Sequence, residues 1–155
     1  MAAATVEGVT RRFGRRWALR GVSVSVFPGE VVGIEGHNGS GKSTLLRILS
    51  TAIKPTAGTA RVFDKDVVKD ATAVRGYIAF LTHYPGLYDD LSAEENLKFA
   101  CRMLGEDFSR IPAVLERVGL GREGKETVRT FSAGMQRRLS LARLLLQRPR
   151  LLLLD

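Results

Sequence analysis

The 155-residue sequence predicts an α/β core with a helical insertion, and three observations lead to that class. A short apolar run, VVGIEG (31–36), precedes a glycine-rich loop and an apolar repeat at helical spacing, LLRILS (45–50), which reads as strand, loop, helix. Between residues 89 and 118 the pattern turns to apolar residues at helical intervals. The sequence closes on LLLLD (151–155), a buried strand ending in an aspartate.

In order along the chain, VSVSVF (22–27) alternates apolar and small polar residues, as a half-buried strand does. Pro28 and Gly29 turn the chain into VVGIEG, an apolar run suited to a central strand. TARVF (59–63) and YIAFL (77–81) are further strand candidates. Ser92 and Glu95 have capping-box spacing and introduce a helix over AEENLKFACRML. IPAVLERVGL continues the helical pattern until Gly119, Gly121 and Gly124 break it. AGMQRRLSLARLLLQ (133–147) predicts a helix with Met135, Leu139, Ala142, Leu145 and Leu146 on one face. Pro149 ends it before the final strand. No internal repeat or low-complexity segment interrupts this order.

Composition narrows the class. A hydrophobic fraction of 45% and a mean hydropathy of −0.01 fit a globular chain and argue against disorder. Apolar runs of five residues or fewer are too short for a membrane span. The N-terminus lacks a basic start followed by a long apolar stretch, and the lone Cys101 suits a reducing compartment, so a soluble cytoplasmic domain is expected. The net charge is +8, and 18 of the 24 basic residues are arginine. They are scattered, with small clusters at RRFGRR (11–16) and QRR (136–138). No aromatic residues interleave with a long basic stripe, so the expectation is an anionic ligand and a solvated surface, not a specific nucleic acid.

The stretch GHNGSGKST (36–44) answers the anion question. It matches G-x-x-x-x-G-K-[ST] and lies between a predicted strand and a predicted helix. Gly36, Gly39 and Gly41 permit backbone angles that turn successive N–H groups toward one anion. The helix that follows adds its positive end. His37, Asn38, Ser40 and Thr44 complete the cradle, Lys42 is placed to contact the β- and γ-phosphates, and the Ser43 hydroxyl to ligate Mg²⁺. The pattern predicts a nucleoside triphosphate site. An N-K-x-D guanine reader is absent, which argues against a GTPase.

The stretch VRTFSAGMQRRLSLARLLLQRPRLLLLD (128–155) decides between the remaining phosphate-loop classes. Here the sequence resembles the ATP-binding-cassette (ABC) family over nearly its whole length. The family's signature, usually LSGGQ, stands as FSAGM at 131–135, followed by a helix and four apolar residues ending in Asp155. The resemblance implies an α/β P-loop NTPase core with an antiparallel β subdomain and a helical insertion at about 84–130, truncated at the Mg²⁺-side (Walker B) strand. It implies ATP and Mg²⁺ as ligands, with Asp155 on the metal side. Phe13, 23 residues before Gly36, stands where the family has an aromatic that stacks on adenine. His83 occupies the position of the family's usual glutamine at the join to the insertion, where it would orient water or a metal-bound ligand.

The signature departs from the pattern at Phe131 and Ala133 but keeps Ser132 and Gly134. In the family these two residues contact ATP bound by the other subunit of a head-to-tail dimer. Ser132 also has the position of a helix N-cap, and the two roles are compatible. The resemblance further implies membrane-spanning partner subunits, a location at the inner face of the cell membrane, and a catalytic glutamate beyond residue 155. The expectation for these 155 residues is therefore a single, incomplete nucleotide-binding domain that holds Mg-ATP, with hydrolysis needing residues beyond them. THYPGLYDDLSAEENLKFA and FSAGM look like the ATPase subunits of haem exporters serving cytochrome c maturation, although multidrug-type exporters have similar stretches. A nucleotide-binding module without turnover and a soluble ABC ATPase acting on nucleic acid or ribosomes remain open as alternatives.

Overall fold

The computed structural model describes residues 1–155, which form two compact units, Met1–Phe80 with Arg150–Asp155, and Leu81–Pro149. In the first unit, β1 (Ala4–Phe13) and β2 (Arg16–Val26) form an antiparallel hairpin. With β3 (Ala57–Val62) and the short β4 (Lys65–Asp66) they make a four-stranded sheet in the order β2-β1-β3-β4. This is the antiparallel β subdomain that the resemblance implied. The expected strands at 22–27 and 59–63 fall in β2 and β3. Helix α1 (Lys42–Leu49) buries Leu45, Leu46, Ile48 and Leu49 against Val6, Val9 and Val62 in the unit's core. Helix α2 (Ala71–Tyr77) adds Val74. A second sheet pairs β5 (Ile78–Leu81) with β6 (Leu151–Leu154), the expected closing strand.

The expected central strand at 31–36 is not formed. Residues 27–37 hold no strand, Val31 is fully exposed, and Val32 and Ile34 are 47% and 40% exposed. The physical reason is pairing. A strand exists only where a neighbour takes its N–H and C=O groups, and this segment pairs with neither sheet. Apolar composition alone does not make a ladder.

The second unit covers residues 84–130, the span of the expected insertion, and also α5. Helices α3 (Ala93–Leu104), α4 (Ile111–Arg117) and α5 (Ala133–Gln147) surround a core that includes Leu97, Ile111, Leu120, Val128, Leu139, Ala142 and Leu146. The predicted face of α5 is the one turned inward, with Met135 and Leu145 at its partly buried margin. At the start of α3 the capping box forms in both directions. Ser92 Oγ accepts from the Glu95 N–H at 3.1 Å, and Glu95 Oε2 accepts from the Ser92 N–H at 2.8 Å. The Arg110 guanidinium donates to the Leu145 and Leu146 carbonyls and so closes the far end of α5.

Two outcomes follow for this unit. Leu139→Ala removes a fully buried side chain from the centre of the core and lowers stability by about 2–5 kcal/mol in denaturant unfolding. The Ser92 amide holds the Glu95 carboxyl below its ordinary pKa. A carboxylate depressed on folding stabilises above its unfolded pKa and loses that effect as pH falls through the folded value. The melting-temperature advantage of the wild type over Glu95→Gln is therefore expected at pH 7 and shrinks on acidification through the carboxylate range.

Candidate functional site

The phosphate loop is shaped by a backbone contact from outside it. Gly41, the residue that caps the N-terminus of α1, has φ 100°. A Cβ there would lie 2.3 Å from the Ala18 carbonyl oxygen and 2.7 Å from Leu19 Cδ2. Only glycine tolerates both the angle and the approach. Ala18 is the extra residue of a β-bulge, because β1–β2 pairing passes from Arg11–Leu19 to Arg12–Trp17. The bulge thus sets β2 directly on the loop. Beyond Gly41 the helix begins, and its first N–H groups have no acceptor inside the helix.

Lys42 curls over the loop that precedes it. Its Nζ donates to the Gly36 carbonyl at 2.5 Å, the His37 carbonyl at 2.9 Å and Ser40 Oγ at 3.4 Å. Those partners are oxygens at the loop's mouth, and phosphate oxygens have the same chemistry. Ser43 Oγ donates to Asp155 Oδ1 at 2.7 Å, joining residues 112 apart in sequence. A hydroxyl and a carboxylate side by side are hard oxygen donors, the set that Mg²⁺ prefers beside a phosphate loop. The residues therefore fit the metal.

Asp155 is delivered by β6, which is anchored at its start. The Arg150 N–H donates to the Tyr77 carbonyl at 2.8 Å. Its guanidinium lies 4.0 Å from the Phe63 ring centroid and 5.0 Å from that of Tyr77. Phe13 is 47% exposed at the end of the β1–β2 hairpin, opposite Arg16, with the Arg11 guanidinium 4.5 Å from its ring centroid.

In the second unit, Ser132 caps α5, its Oγ accepting from the Met135 N–H at 3.2 Å. The N-cap reading is thus borne out, and it leaves the hydroxyl exposed. Phe131, one of the two departures in the signature, is a core residue at 7% exposure. Gly134 and His83 line one concave surface with Ala133, Gln136 and Arg137. His83 is exposed and tilts against the Tyr84 ring at 4.1 Å. The segment after His83 is tied to α5, because Ser140 Oγ donates to the Pro85 carbonyl at 2.9 Å and Arg143 Nη1 to that of Gly86 at 2.8 Å. Burial pushes the Arg143 pKa down.

Phe13, residues 36–44 and Asp155 therefore belong to the first unit, and His83, Ser132 and Gly134 to the second. Ser140 and Arg143 were not legible as positioning residues. Their partners are backbone carbonyls, which carry no sequence signal. The arginines of RRFGRR were legible only as charge.

The comparisons with known proteins agree with this geometry. A family model described as ABC transporter matches residues 19–155. The chain is 43% identical over 157 residues to a daunorubicin resistance ATP-binding protein of Streptomyces coeruleorubidus, covering 99% of this chain and 50% of that one. It is 37% identical over 148 residues to a bacitracin transport ATP-binding protein of Bacillus licheniformis, covering 95% and 48%. It is 39% identical over 161 residues to a cytochrome c biogenesis ATP-binding export protein of Cupriavidus metallidurans, covering 100% and 75%. The chain thus spans about half the length of the first two relatives. Among solved structures, cbiO1 of Clostridium perfringens, part of the ABC transporter complex cbiONQ, superposes with a TM-score of 0.86 at 25% identity over 99% of this chain and 65% of that one. A match that begins on β2 and runs through the loop, the signature and Asp155 takes in nearly every feature built above, and the chain belongs to the ABC transporter family.

Proposed function

We propose that the chain binds Mg-ATP as the ATP-binding part of an ABC exporter, whose whole protein couples ATP hydrolysis to transport through membrane-spanning subunits. The observation that carries this reading is the Ser43–Asp155 contact beside a loop whose lysine already bonds oxygen atoms. In this reading the loop N–H groups and Lys42 bind the triphosphate, and Phe13 stacks on adenine. Mg²⁺, held by Ser43 and Asp155, would neutralise charge on the phosphates. Ser132 and Gly134 present a hydroxyl and a helix N-terminus to ATP held by a second copy, in a head-to-tail dimer. His83 orients water or a metal-bound ligand near the join to the helices. The domain works at the inner face of the cell membrane, through its partners.

Export is supported by the names of the relatives, which include drug resistance, bacitracin transport and cytochrome c biogenesis export proteins. Haem export for cytochrome c maturation is the narrower reading, and it rests on His83, on FSAGM and on the Cupriavidus relative. A bacterial strain lacking its cytochrome c biogenesis export ATPase checks it. Restored c-type cytochromes on expression of the full-length protein support haem export, and unrestored cytochromes remove it.

Calorimetric titration with Mg-ATP tests the site. Lys42→Ala is expected to lose about tenfold or more in affinity, the scale of one charge-assisted hydrogen bond. Affinity equal to the wild type overturns the site. Asp155→Asn is expected to bind metal-free ATP as the wild type does and to lose the gain that Mg²⁺ brings.

A further inference from the structure

We propose that Arg16 is a second cation of the nucleotide site, engaging the β- and γ-phosphates from the hairpin side and favouring ATP over ADP. The inference rests on the reading of the loop as an ATP site. Four observations carry it.

The first is proximity. A Cβ on Gly39 would lie 2.9 Å from Arg16 Nη2, so the guanidinium sits against the middle of the phosphate loop. Gly39 stands in the chain between His37 and Ser40, the residues whose oxygens hold the Lys42 ammonium. The two cations therefore address the same stretch of the loop, the one whose lysine serves the β- and γ-phosphates.

The second is the device that holds it there. The bulge at Ala18 packs against Gly41, which locks β2 to the loop two residues after Arg16. Bulges re-aim neighbouring side chains, and this one lies beside the strand's first residue.

The third is that Arg16 is uncommitted. The chain forms three ion pairs, Lys98–Glu94, Arg110–Glu106 and Arg129–Asp90, and none involves the hairpin. Arg11 donates to the Lys54 carbonyl and stacks on Phe13, and Arg12 stacks on Trp17. Arg16 has neither a carboxylate nor an aromatic ring against it, and residues 11–20 contain no acid.

The fourth is chemistry. A guanidinium presents a planar fork that takes two phosphate oxygens together, which a lysine cannot do. Its attraction grows with the charge on the terminal phosphates, so it discriminates ATP from ADP.

The test titrates the 155-residue chain with ATP and with ADP, both with Mg²⁺, for the wild type, Arg16→Gln, Arg16→Lys and Lys42→Ala. Melting curves establish that each variant is folded. Arg16→Gln is expected to weaken ATP by roughly tenfold and ADP by clearly less, with Arg16→Lys in between. The wild type's salt dependence of ATP binding should also flatten in Arg16→Gln. Equal losses for ATP and ADP mean that Arg16 only shapes the loop, and overturn the proposal. So does wild-type affinity in Arg16→Gln while Lys42→Ala loses ATP. If Lys42→Ala also binds as the wild type does, the loop is not the site, and the failure belongs to the proposed function.

Discussion

The constraint on which the first unit depends is the contact between the Ala18 carbonyl and Gly41, where no Cβ can enter. It joins the antiparallel sheet to the phosphate loop through backbone atoms, so side-chain motion cannot loosen it. Three consequences follow from one approach. The loop ends where α1 begins, because Gly41 is its cap. Lys42 and Ser43, the next two residues, point at the loop's mouth and at Asp155. Arg16, at the start of β2, is held against the same loop. A backbone contact fixes the loop more firmly than a side-chain contact does, because it carries no rotamer freedom.

Charge is distributed around that contact with little waste. The sequence carries +8, yet the hairpin arginines differ in use. Arg11 and Arg12 spend their guanidinium faces on Phe13 and Trp17, and Arg150 lies over Phe63 and Tyr77, where it anchors the strand that delivers Asp155. Lys42 is satisfied by three oxygens of its own loop. Such charge-assisted bonds stabilise the loop.

The second unit solves a different problem, that of holding a short irregular segment beside a helix. Loops satisfy their carbonyls with water or with fixed donors. Ser140 and Arg143 on α5 take the carbonyls of Pro85 and Gly86, and buried Asn96 both accepts from the Tyr88 N–H and donates to the Tyr88 carbonyl. The surface that carries His83 and Gly134 is thereby built on a helix and not on a free loop. Phe131 packs in the core immediately before Ser132, so the start of the signature is fixed by burial as well as by its cap.

What was legible in the sequence was legible because its physics is local. The helices at 93–104 and 133–147, the capping box and the N-cap at Ser132 all depend on residues within a few positions of one another. The phosphate-loop motif is equally local. Strand β1 carries no clear sequence signal because its bulges break the apolar alternation, and α2 none because seven residues offer too few turns to show a period. VVGIEG has the composition of a strand but no ladder, because neither sheet pairs with it. The sequence by itself determined the helices at 93–104 and 133–147, the glycine-rich loop and the kinds of side chain that stand at Lys42, Ser43 and Asp155. Only the tertiary structure decided that Ser43 meets Asp155 and that Arg16 meets Gly39, because pairing across 112 or 23 residues is set by how strands pack, which no local pattern encodes.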